Sequence, residues 1–242
     1  MSRPRFYLNQ KLALGTRLSL PPGPARHAAR VLRLGVGDRV RLFNGLGGEF
    51  DARIDYLSKD DVAVSVTAFN DTDCESSLDV VLAQGISSGE RMDYTLQKAV
   101  ELGVGAVQPI AAKRSVVKLA GDRADKRVAH WQAVVEAACE QSGRNRVPPV
   151  SQPMSLADWL GQRPQGRVLV LAPQAPARLA DLPRPEGRQI LVAGPEGGFE
   201  PEELAALASA DAAAVRLGPR VLRTETAALA ALAAMQALWG DF

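Results

Sequence analysis

Apolar and polar positions near the C-terminus repeat one plan twice: a short apolar run, a loop rich in Gly and Pro, and a helical stretch. The first apolar run ends at Ala193, and a helix is predicted from Pro201, a residue type that suits the first helical position. The second run covers residues 214–217, and a helix is predicted from Thr224 to Leu238. Two such units in sequence predict a parallel sheet, with the loops gathered at the carboxyl ends of the strands, where open α/β sheets bind ligands.

The alternation of strand and helix patterns extends back to residue 78. Apolar runs predict further strands over residues 78–83, 106–110 and 168–173. Apolar positions at helical spacing predict helices over residues 91–102, 125–141 and 156–160. Residues 70–77 are polar and lack apolar periodicity, which is typical of a linker. A second domain is therefore predicted to span residues 73–242.

Residues 1–72 show the period-two alternation of a small β-rich domain. Strands are predicted over residues 39–43, 50–54 and 62–66, with a turn that starts at residues 44–45. A short helical patch is predicted over residues 25–32. The spacings of four and three between Arg26, Arg30 and Arg33 predict that these three side chains share one helical face.

Charge is distributed unevenly along the chain. Residues 1–41 contain nine Lys and Arg residues against Asp38 alone, a net charge of +8, whereas the whole chain has a formal net charge of +2. A basic module on an otherwise mildly acidic chain is typical of a nucleic-acid-binding protein. The predominance of Arg suits bidentate phosphate contacts and stacking on bases. The alternative is a solvated, arginine-rich surface.

Several functional classes are excluded or disfavoured by composition. Apolar residues make up 46% of the chain and charged residues 23%, as in an ordinary globular protein, and no apolar run is long enough to span a membrane. The N-terminus lacks the apolar segment of a secretory signal. Cys74 and Cys139 are the only cysteines and His27 and His130 the only histidines, so no metal site is expected. These features predict a cytoplasmic protein with reduced thiols.

The loop after Ala193 contains three glycines, Gly194, Gly197 and Gly198. Glycine permits positive φ and lets backbone groups approach a ligand closely, so this loop is a candidate ligand site. The alternative is that the glycines only form turns. Phe199 and Glu200 follow the last glycine, where a phosphate-binding loop would need Lys and Ser or Thr, so that class of loop is excluded.

Residues 101–105 read Glu-Leu-Gly-Val-Gly and resemble the glycine motif of class I Rossmann methyltransferases. In that motif the glycines follow a strand and open a helix. Here they close a predicted helix and precede a predicted strand. The Rossmann interpretation is therefore rejected.

Four stretches together resemble one known family. They are GPEGGF at residues 194–199, LGPRVLRTETA at 217–227, and the segments over residues 96–104 and 136–144. They resemble the RsmE family, which methylates N3 of a uridine in 16S ribosomal RNA (rRNA) and belongs to the SPOUT class of S-adenosylmethionine-dependent methyltransferases. The resemblance covers essentially the whole chain, and its two long motifs occur in the right order.

The resemblance implies an α/β fold: a SPOUT (trefoil-knotted) methyltransferase domain with an N-terminal PUA-like β-barrel domain that binds RNA. The segment from His27 to Arg33 is similar to a characteristic His-x-x-x-Val-Leu-Arg segment of that domain. The implied cofactor is S-adenosylmethionine, and the implied partners are 16S rRNA in the small ribosomal subunit and a second copy of the chain. No membrane or metal partner is implied.

The resemblance also assigns residues. The cofactor-binding positions are Ala172, Pro173, Gly194, Glu196, Gly197, Gly198, Leu217, Gly218, Leu222 and Arg223. Arg220 and Arg223 are candidates to stabilise the anion formed on the uracil, and Glu225 or Glu196 to accept its proton. The alternative for Glu225 is a carboxylate that only interacts with the helix dipole. The RNA-binding positions are Arg3, Arg5, Arg26, Arg30, Arg33, Arg91, Lys98, Arg114 and Arg144.

Two positions depart from the family pattern. Ser88 stands before Gly89 where the family usually has Lys, which weakens one expected phosphate contact. Glu200 replaces the usual Ser after GGF, so a less favourable helix cap is expected there. Two other functions remain open: a SPOUT enzyme that methylates a different nucleotide, and a non-catalytic RNA-binding or assembly protein with the same fold.

Overall fold

The computed structural model describes residues 3–59, 61–117, 119 and 121–242. These residues form two compact units: unit 1 comprises Met1–Glu75 with Cys139–Val147, and unit 2 comprises Ser76–Ala138 with Pro148–Phe242. Met1 and Ser2, which open the predicted first domain, lie outside the described residues. The domain boundary after residue 72 stays a prediction.

Unit 1 is built on a mixed five-stranded sheet around a single apolar core. Its strands are β1 (Arg5–Tyr7), β2 (Arg17–Ser19), β3 (Arg39–Phe43), β4 (Glu49–Leu57) and β5 (Val62–Asn70), in the order β1-β3-β4-β5-β2. The β1–β3 pair is parallel and the other pairs are antiparallel. Alternate residues of β3, β4 and β5, such as Val40, Ile54 and Val64, are buried in the core. The strands predicted from alternation are confirmed.

The helical patch of unit 1 is shorter than the predicted arginine face requires. It consists of α1 (Pro22–Arg26) and a π-helical turn over His27–Val31, and Leu32 closes the turn. Arg33 lies beyond the helix with a φ of 53°. The prediction that Arg33 shares a helical face with Arg26 and Arg30 is therefore wrong, because the chain leaves the helix one residue before Arg33.

Unit 2 contains a seven-stranded sheet in which all strand pairings among the described residues are parallel. The strands are β6 (Val80–Gly85), β7 (Ala106–Ala111), β8 (Met154–Ser155), β9 (Arg167–Leu171), β10 (Ala177–Arg178), β11 (Gln189–Ala193) and β12 (Ala213–Arg216), in the order β10-β12-β9-β11-β6-β7-β8. Its helices are α2 (Gly89–Glu101), α4 (Leu156–Gln162), α5 (Pro201–Ser209) and α6 (Thr224–Trp239). Helix α3 (Asp122–Ser142) begins in unit 2, and its residues from Cys139 onward belong to unit 1. The predicted parallel sheet is confirmed; the two-residue edge strands β8 and β10 are too short to leave a pattern.

Gly103 ends α2. Its φ of +83° lies in the left-handed region, and the N–H of the following Val104 donates to the carbonyl of Ala99. The strand β7 begins only at Ala106. The glycines of this segment therefore form a helix stop before a strand, as predicted, and the rejection of the Rossmann interpretation is confirmed.

The C-terminal segment contributes strand β12 and helix α6 to unit 2. Strand β12 pairs with β9 on the side opposite β11, and α6 then returns to pack against α2, β11 and the short 3-10 turn over Leu179–Asp181. One face of α6, including Ala228, Leu232 and Met235, is buried. The opposite face is open, and Leu238 is 45% exposed. Unit 2 therefore covers only one face of α6.

None of the helices formed by described residues combines the length and hydropathy needed to cross a membrane. Within the described ranges, no three His, Cys, Asp or Glu side chains are grouped so as to hold a metal ion.

Candidate active site

Three loops of unit 2 enclose a cavity of about 580 Å³ at the carboxyl edge of the sheet. The loops follow β9, β11 and β12, three strands that are adjacent in the sheet, and the first turn of α6 completes the wall. All ten residues that the sequence assigned to cofactor binding line this cavity, as do Arg220 and Glu225. The topology thus gathers residues that are up to 53 positions apart in the chain, from Ala172 to Glu225.

The Gly194–Gly198 loop, called the glycine loop below, is packed too tightly to carry side chains at several positions. A Cβ on Gly85, at the end of β6, would lie 2.4 Å from the nitrogen of Pro195. A Cβ on Gly197 would lie 2.9 Å from Cβ of Arg114, and Gly198 has a φ of +69°. Glycine is therefore required at these points for the loop to pass close to its neighbours.

Glu196, in the glycine loop, is held by Ser88 and Arg91, which follow β6. Its Oε1 accepts hydrogen bonds from the N–H of Ser88 at 2.9 Å, from Oγ of Ser88 at 3.0 Å and from Arg91 at 3.2 Å. Burial raises the pKa of Glu196, but these hydrogen bonds outweigh it and the pKa lies below the ordinary value of 4.5. Its Oε2 is buried and has no hydrogen-bond partner among the described residues. Glu196 is thus an anion with one acceptor oxygen still available.

Arg114, which follows β7, contacts the glycine loop at a second point. Its Nε and Nη2 donate to the two carboxylate oxygens of Glu200 at 2.7 and 3.0 Å, and its Nη1 donates to the carbonyl of Gly197 at 3.1 Å. The hydrogen bond to Glu200, with its negative charge, raises the pKa of Arg114. Glu200 therefore has a partner outside its own helix.

The helix cap at the start of α5 has more hydrogen bonds than the sequence predicted. Glu200 occupies the N-cap position, and its N–H donates to the carboxylate of Glu203 at 2.8 Å. The same carboxylate accepts the N–H of Lys113 at 2.9 Å. The expected weakness of this cap is thus offset by Glu203, which lies one turn into the helix.

The first turn of α6 is fixed against the glycine loop. The hydroxyl of Thr224 donates to the carbonyl of Gly194 and accepts a hydrogen bond from Nε2 of Gln84 at 3.1 Å. Glu225 follows directly and is half-buried, with a buried Oε2 that has no hydrogen-bond partner within the described part of the chain. Arg220 and Arg223 are exposed residues of the cavity wall.

The predicted RNA-binding residues fall into two groups. Arg26, Arg30 and Arg33 are exposed on unit 1. Arg5 forms an ion pair with the buried Glu49, and Arg144 pairs with Glu75 and is only 6% exposed. Their guanidinium groups serve the internal structure of unit 1, so the geometry does not favour them for phosphate contacts.

The remaining RNA-binding positions are also paired with carboxylates. Arg3 pairs with Asp51 at 2.7 Å and Lys98 with Glu101 at 2.8 Å. Arg91 and Arg114 line the cavity in unit 2, where each is bonded to a glutamate. An RNA contact at any of these positions remains a prediction.

Gln84 is a residue of this site that the sequence pattern did not predict. It is fully buried at the carboxyl end of β6, where it bonds Thr224, and its Oε1 has no hydrogen-bond partner among the described residues. The available signal was a single amide side chain at the end of an otherwise apolar strand. A buried polar residue in that position needs a partner, and the partner lies at the start of α6.

Comparison with protein families and curated relatives agrees with this arrangement. Residues 74–236 match the RNA methyltransferase domain family, and residues 25–67 match the RNA methyltransferase PUA domain family. The ribosomal RNA small subunit methyltransferase E of Buchnera aphidicola is 30% identical over 239 residues, covering 98% of this chain and 97% of the relative. The protein of the same name from Mycobacterium bovis is 37% identical over 220 residues, covering 88% and 83%.

Solved structures give the same result. A crystal structure of ribosomal RNA small subunit methyltransferase E from Neisseria gonorrhoeae, bound to S-adenosylmethionine, has a TM-score of 0.95 and 45% identity, with 100% of both chains covered. A methyltransferase from Legionella pneumophila, also in complex with that cofactor, has a TM-score of 0.96 and 37% identity, again over 100% of both chains. The predicted trefoil-knotted SPOUT domain with an N-terminal PUA-like domain is confirmed. This chain belongs to the ribosomal RNA small subunit methyltransferase E family.

Proposed function

We propose that this protein transfers a methyl group from S-adenosylmethionine to N3 of a specific uridine in 16S rRNA of the small ribosomal subunit. The observation that carries the proposal is the cavity in unit 2, where three loops bring glycine backbone, apolar side chains and two available carboxylate oxygens together. Its position at the carboxyl edge of a parallel sheet is the usual ligand position in this class of fold. Relatives with the same full-length architecture carry the corresponding name.

The residues of the cavity fit S-adenosylmethionine. A volume of about 580 Å³ lies in the range of small-ligand sites. Leu171, Leu217 and Leu222 offer apolar walls to the adenine, while the glycine loop offers backbone groups. The buried Oε2 of Glu196 would accept a hydrogen bond from a hydroxyl or ammonium group of such a ligand. When bound, the cofactor supplies an electrophilic methyl group on a sulfonium leaving group.

Glu225 is the residue to which we assign the removal of the uridine N3 proton. Glu196 is the poorer base, since three hydrogen bonds hold one of its oxygens and its pKa is lowered. Glu225 keeps a buried oxygen without a partner among the described residues, at the first turn of a helix that is fixed by Thr224. Proton removal needs such an acceptor within hydrogen-bond reach of the nucleobase.

Arg220 and Arg223 stabilise the negative charge that develops on the uracil carbonyl oxygens as the proton leaves. Both residues flank the apolar Leu222 in the wall of the same cavity as Glu225. A fixed guanidinium beside a developing oxyanion lowers the energy of the transition state more than that of the ground state. The remaining contribution of the protein is placement of the two reactants in line.

RNA recognition is assigned to the predicted domain of residues 1–72 and methyl transfer to residues 73–242. The exposed Arg26, Arg30 and Arg33 of unit 1 are the residues best placed to contact the phosphate backbone. The proposed rRNA substrate and the two free cysteines fit a cytoplasmic protein.

A homodimer formed through α6 completes the proposal. The half-buried Leu229, Ala230, Ala233 and Ala234 and the exposed Leu238 follow one another at helical spacing and form an apolar face that unit 2 leaves open. Small residues on such a face permit close approach of a second helix. Sedimentation of the full chain measures this state, and a monomer at all concentrations would contradict it.

Mass spectrometry of 16S rRNA tests the reaction. RNA from a strain that lacks this gene should contain unmodified uridine at one position, and complementation should restore N3-methyluridine there. A 2′-O-methylated product would assign the chain to a different SPOUT reaction. Absence of any product and of any S-adenosylmethionine binding would favour a non-catalytic RNA-binding protein.

A further inference from the structure

Arg114 lines the cofactor cavity and bonds two residues of its wall. It follows β7, and its guanidinium joins the carboxylate of Glu200 to the carbonyl of Gly197. The carbonyl belongs to the glycine loop, and the carboxylate belongs to the N-cap of α5, directly after that loop. One side chain thus ties both ends of the turn that forms one wall of the cavity.

Arg114 contacts Gly197 both by a hydrogen bond and by close packing of its side-chain stem. The Nη1–O distance is 3.1 Å, and a Cβ on Gly197 would overlap the Arg114 side chain, 2.9 Å from its Cβ and 3.4 Å from its Cδ. The glycine loop therefore rests on the stem of Arg114 as well as on its guanidinium. Because the guanidinium forms a planar two-point pair with Glu200, its direction toward Gly197 is defined.

We propose that Arg114 is a positioning residue for the cofactor: held by Glu200, it fixes the glycine loop in the geometry that accepts S-adenosylmethionine. The inference rests on the proposed function and refines it, since it replaces the predicted RNA contact of Arg114 with a role in the cofactor cavity. Glu200, for which the sequence predicted only a less favourable helix cap, is the residue that orients Arg114.

Lys113 offers a matched control. It is the preceding residue, carries the same charge and forms an ion pair with the exposed Glu202 of α5. Its side chain does not line the cavity, and its contact to Glu203 uses the backbone N–H, which an alanine retains. Replacing Lys113 therefore removes one positive charge from the same surface and leaves the glycine loop untouched.

The experiment is calorimetric titration of S-adenosylmethionine into the RNA-free full chain and three variants. R114A should weaken binding by about tenfold, in line with the loss of a charged hydrogen-bond network. E200S should also weaken the binding of S-adenosylmethionine, because Ser preserves the N-cap but cannot pair with Arg114. K113A should stay within about twofold of the wild type. The double variant R114A/E200S should bind no more weakly than R114A, because Glu200 acts through Arg114.

Steady-state kinetics distinguish a positioning role of Arg114 from a general loss of structure in R114A. In R114A the KM for S-adenosylmethionine should rise while kcat and the KM for RNA stay near their wild-type values. Faster hydrogen exchange in the segment over residues 194–199 should accompany R114A and not K113A. Thermal unfolding checks that each variant folds, and E200S, which retains Arg114, provides the test if R114A does not fold.

Equal cofactor affinity in R114A and K113A would overturn this inference and leave the proposed function intact. A loss of RNA affinity in R114A without a loss of cofactor affinity would also overturn it, and would restore Arg114 to the RNA-binding group. A wild-type chain that gives no heat with S-adenosylmethionine would overturn the proposed function and this inference together.

Discussion

The side-chain amide of Gln84 donates a hydrogen bond to the hydroxyl of Thr224 at 3.1 Å, although the two residues are 140 positions apart in the chain. Thr224 in turn donates to the carbonyl of Gly194. The end of β6, the start of α6 and the glycine loop are thereby joined in one chain of hydrogen bonds. Because Glu225 follows Thr224 directly, this connection sets the position of the proposed base.

Thr224→Val tests that connection with a side chain of nearly the same shape. The variant leaves the buried Gln84 amide and the Gly194 carbonyl without this partner. The free energy of unfolding should fall by about 1–3 kcal/mol, the usual cost of a buried polar group left unsatisfied. Denaturant unfolding measures the change. Thr226→Val, at an exposed position of the same helix, should change it by less than about 0.5 kcal/mol; equal effects would contradict the role given to Thr224.

Glu225→Gln removes the proposed base and keeps the size of the side chain. We expect kcat to fall by about 100-fold or more, as for the loss of a general base, while the affinity for S-adenosylmethionine changes little. Single-turnover methylation of 16S rRNA fragments measures the first quantity and calorimetry the second. Glu202→Gln is the control, because Glu202 also lies in the first turn of a helix but is exposed and outside the cavity. Wild-type turnover in Glu225→Gln would exclude Glu225 as the base.

Glu140 predicts a dependence of stability on pH. Burial raises its pKa above the ordinary value of 4.5 and outweighs the N–H of Tyr7 and the charges of His27 and Arg5, which lower it. The folded state therefore holds this proton more tightly than the unfolded state does. The resulting stabilisation is complete below pH 4.5 and is lost as the pH rises through the raised value.

Glu140→Gln should remove that dependence. The amide oxygen of Gln can still accept the N–H of Tyr7, a bond of 2.8 Å in the native chain, and no charge is buried. Relative to the wild type, the free energy of unfolding of the variant should rise between pH 4 and pH 7. Urea unfolding of the full chain at these pH values measures the difference. A variant that loses stability relative to the wild type as the pH rises would contradict the raised pKa.

Exposed arginines of unit 1 should contribute more to RNA affinity than an exposed arginine of unit 2. Replacing Arg26, Arg30 and Arg33 with Ala should weaken RNA binding and reduce the slope of log affinity against log salt by about two, since each phosphate contact contributes about 0.7–0.9. Filter binding at several salt concentrations measures both effects. Arg184→Ala, at an exposed position of unit 2, is the control. An unchanged slope in the triple variant would remove these arginines from the RNA interface.

The local pattern of apolar and polar residues was sufficient to predict most of the strands and helices. The alternation in residues 62–66 predicted β5, and the apolar run that ends at Ala193 predicted β11, because side-chain periodicity reflects which face of a strand is buried. Pattern failed where the structure departs from regular spacing. Arg33 lies beyond a π-helical turn, and the exposed face of α6 is as apolar as its buried face.

The sequence by itself determined the fold class, the parallel sheet, the glycine loop and the family, because these depend on short-range periodicity and on contiguous motifs. Only the tertiary structure decided that Gln84 bonds Thr224, that Arg144 is buried against Glu75, and that Arg114 joins Glu200 to Gly197. These contacts connect residues that are 69 to 140 positions apart. Such contacts depend on the order of strands in the sheet, which brings distant segments together and which no local pattern along the chain encodes.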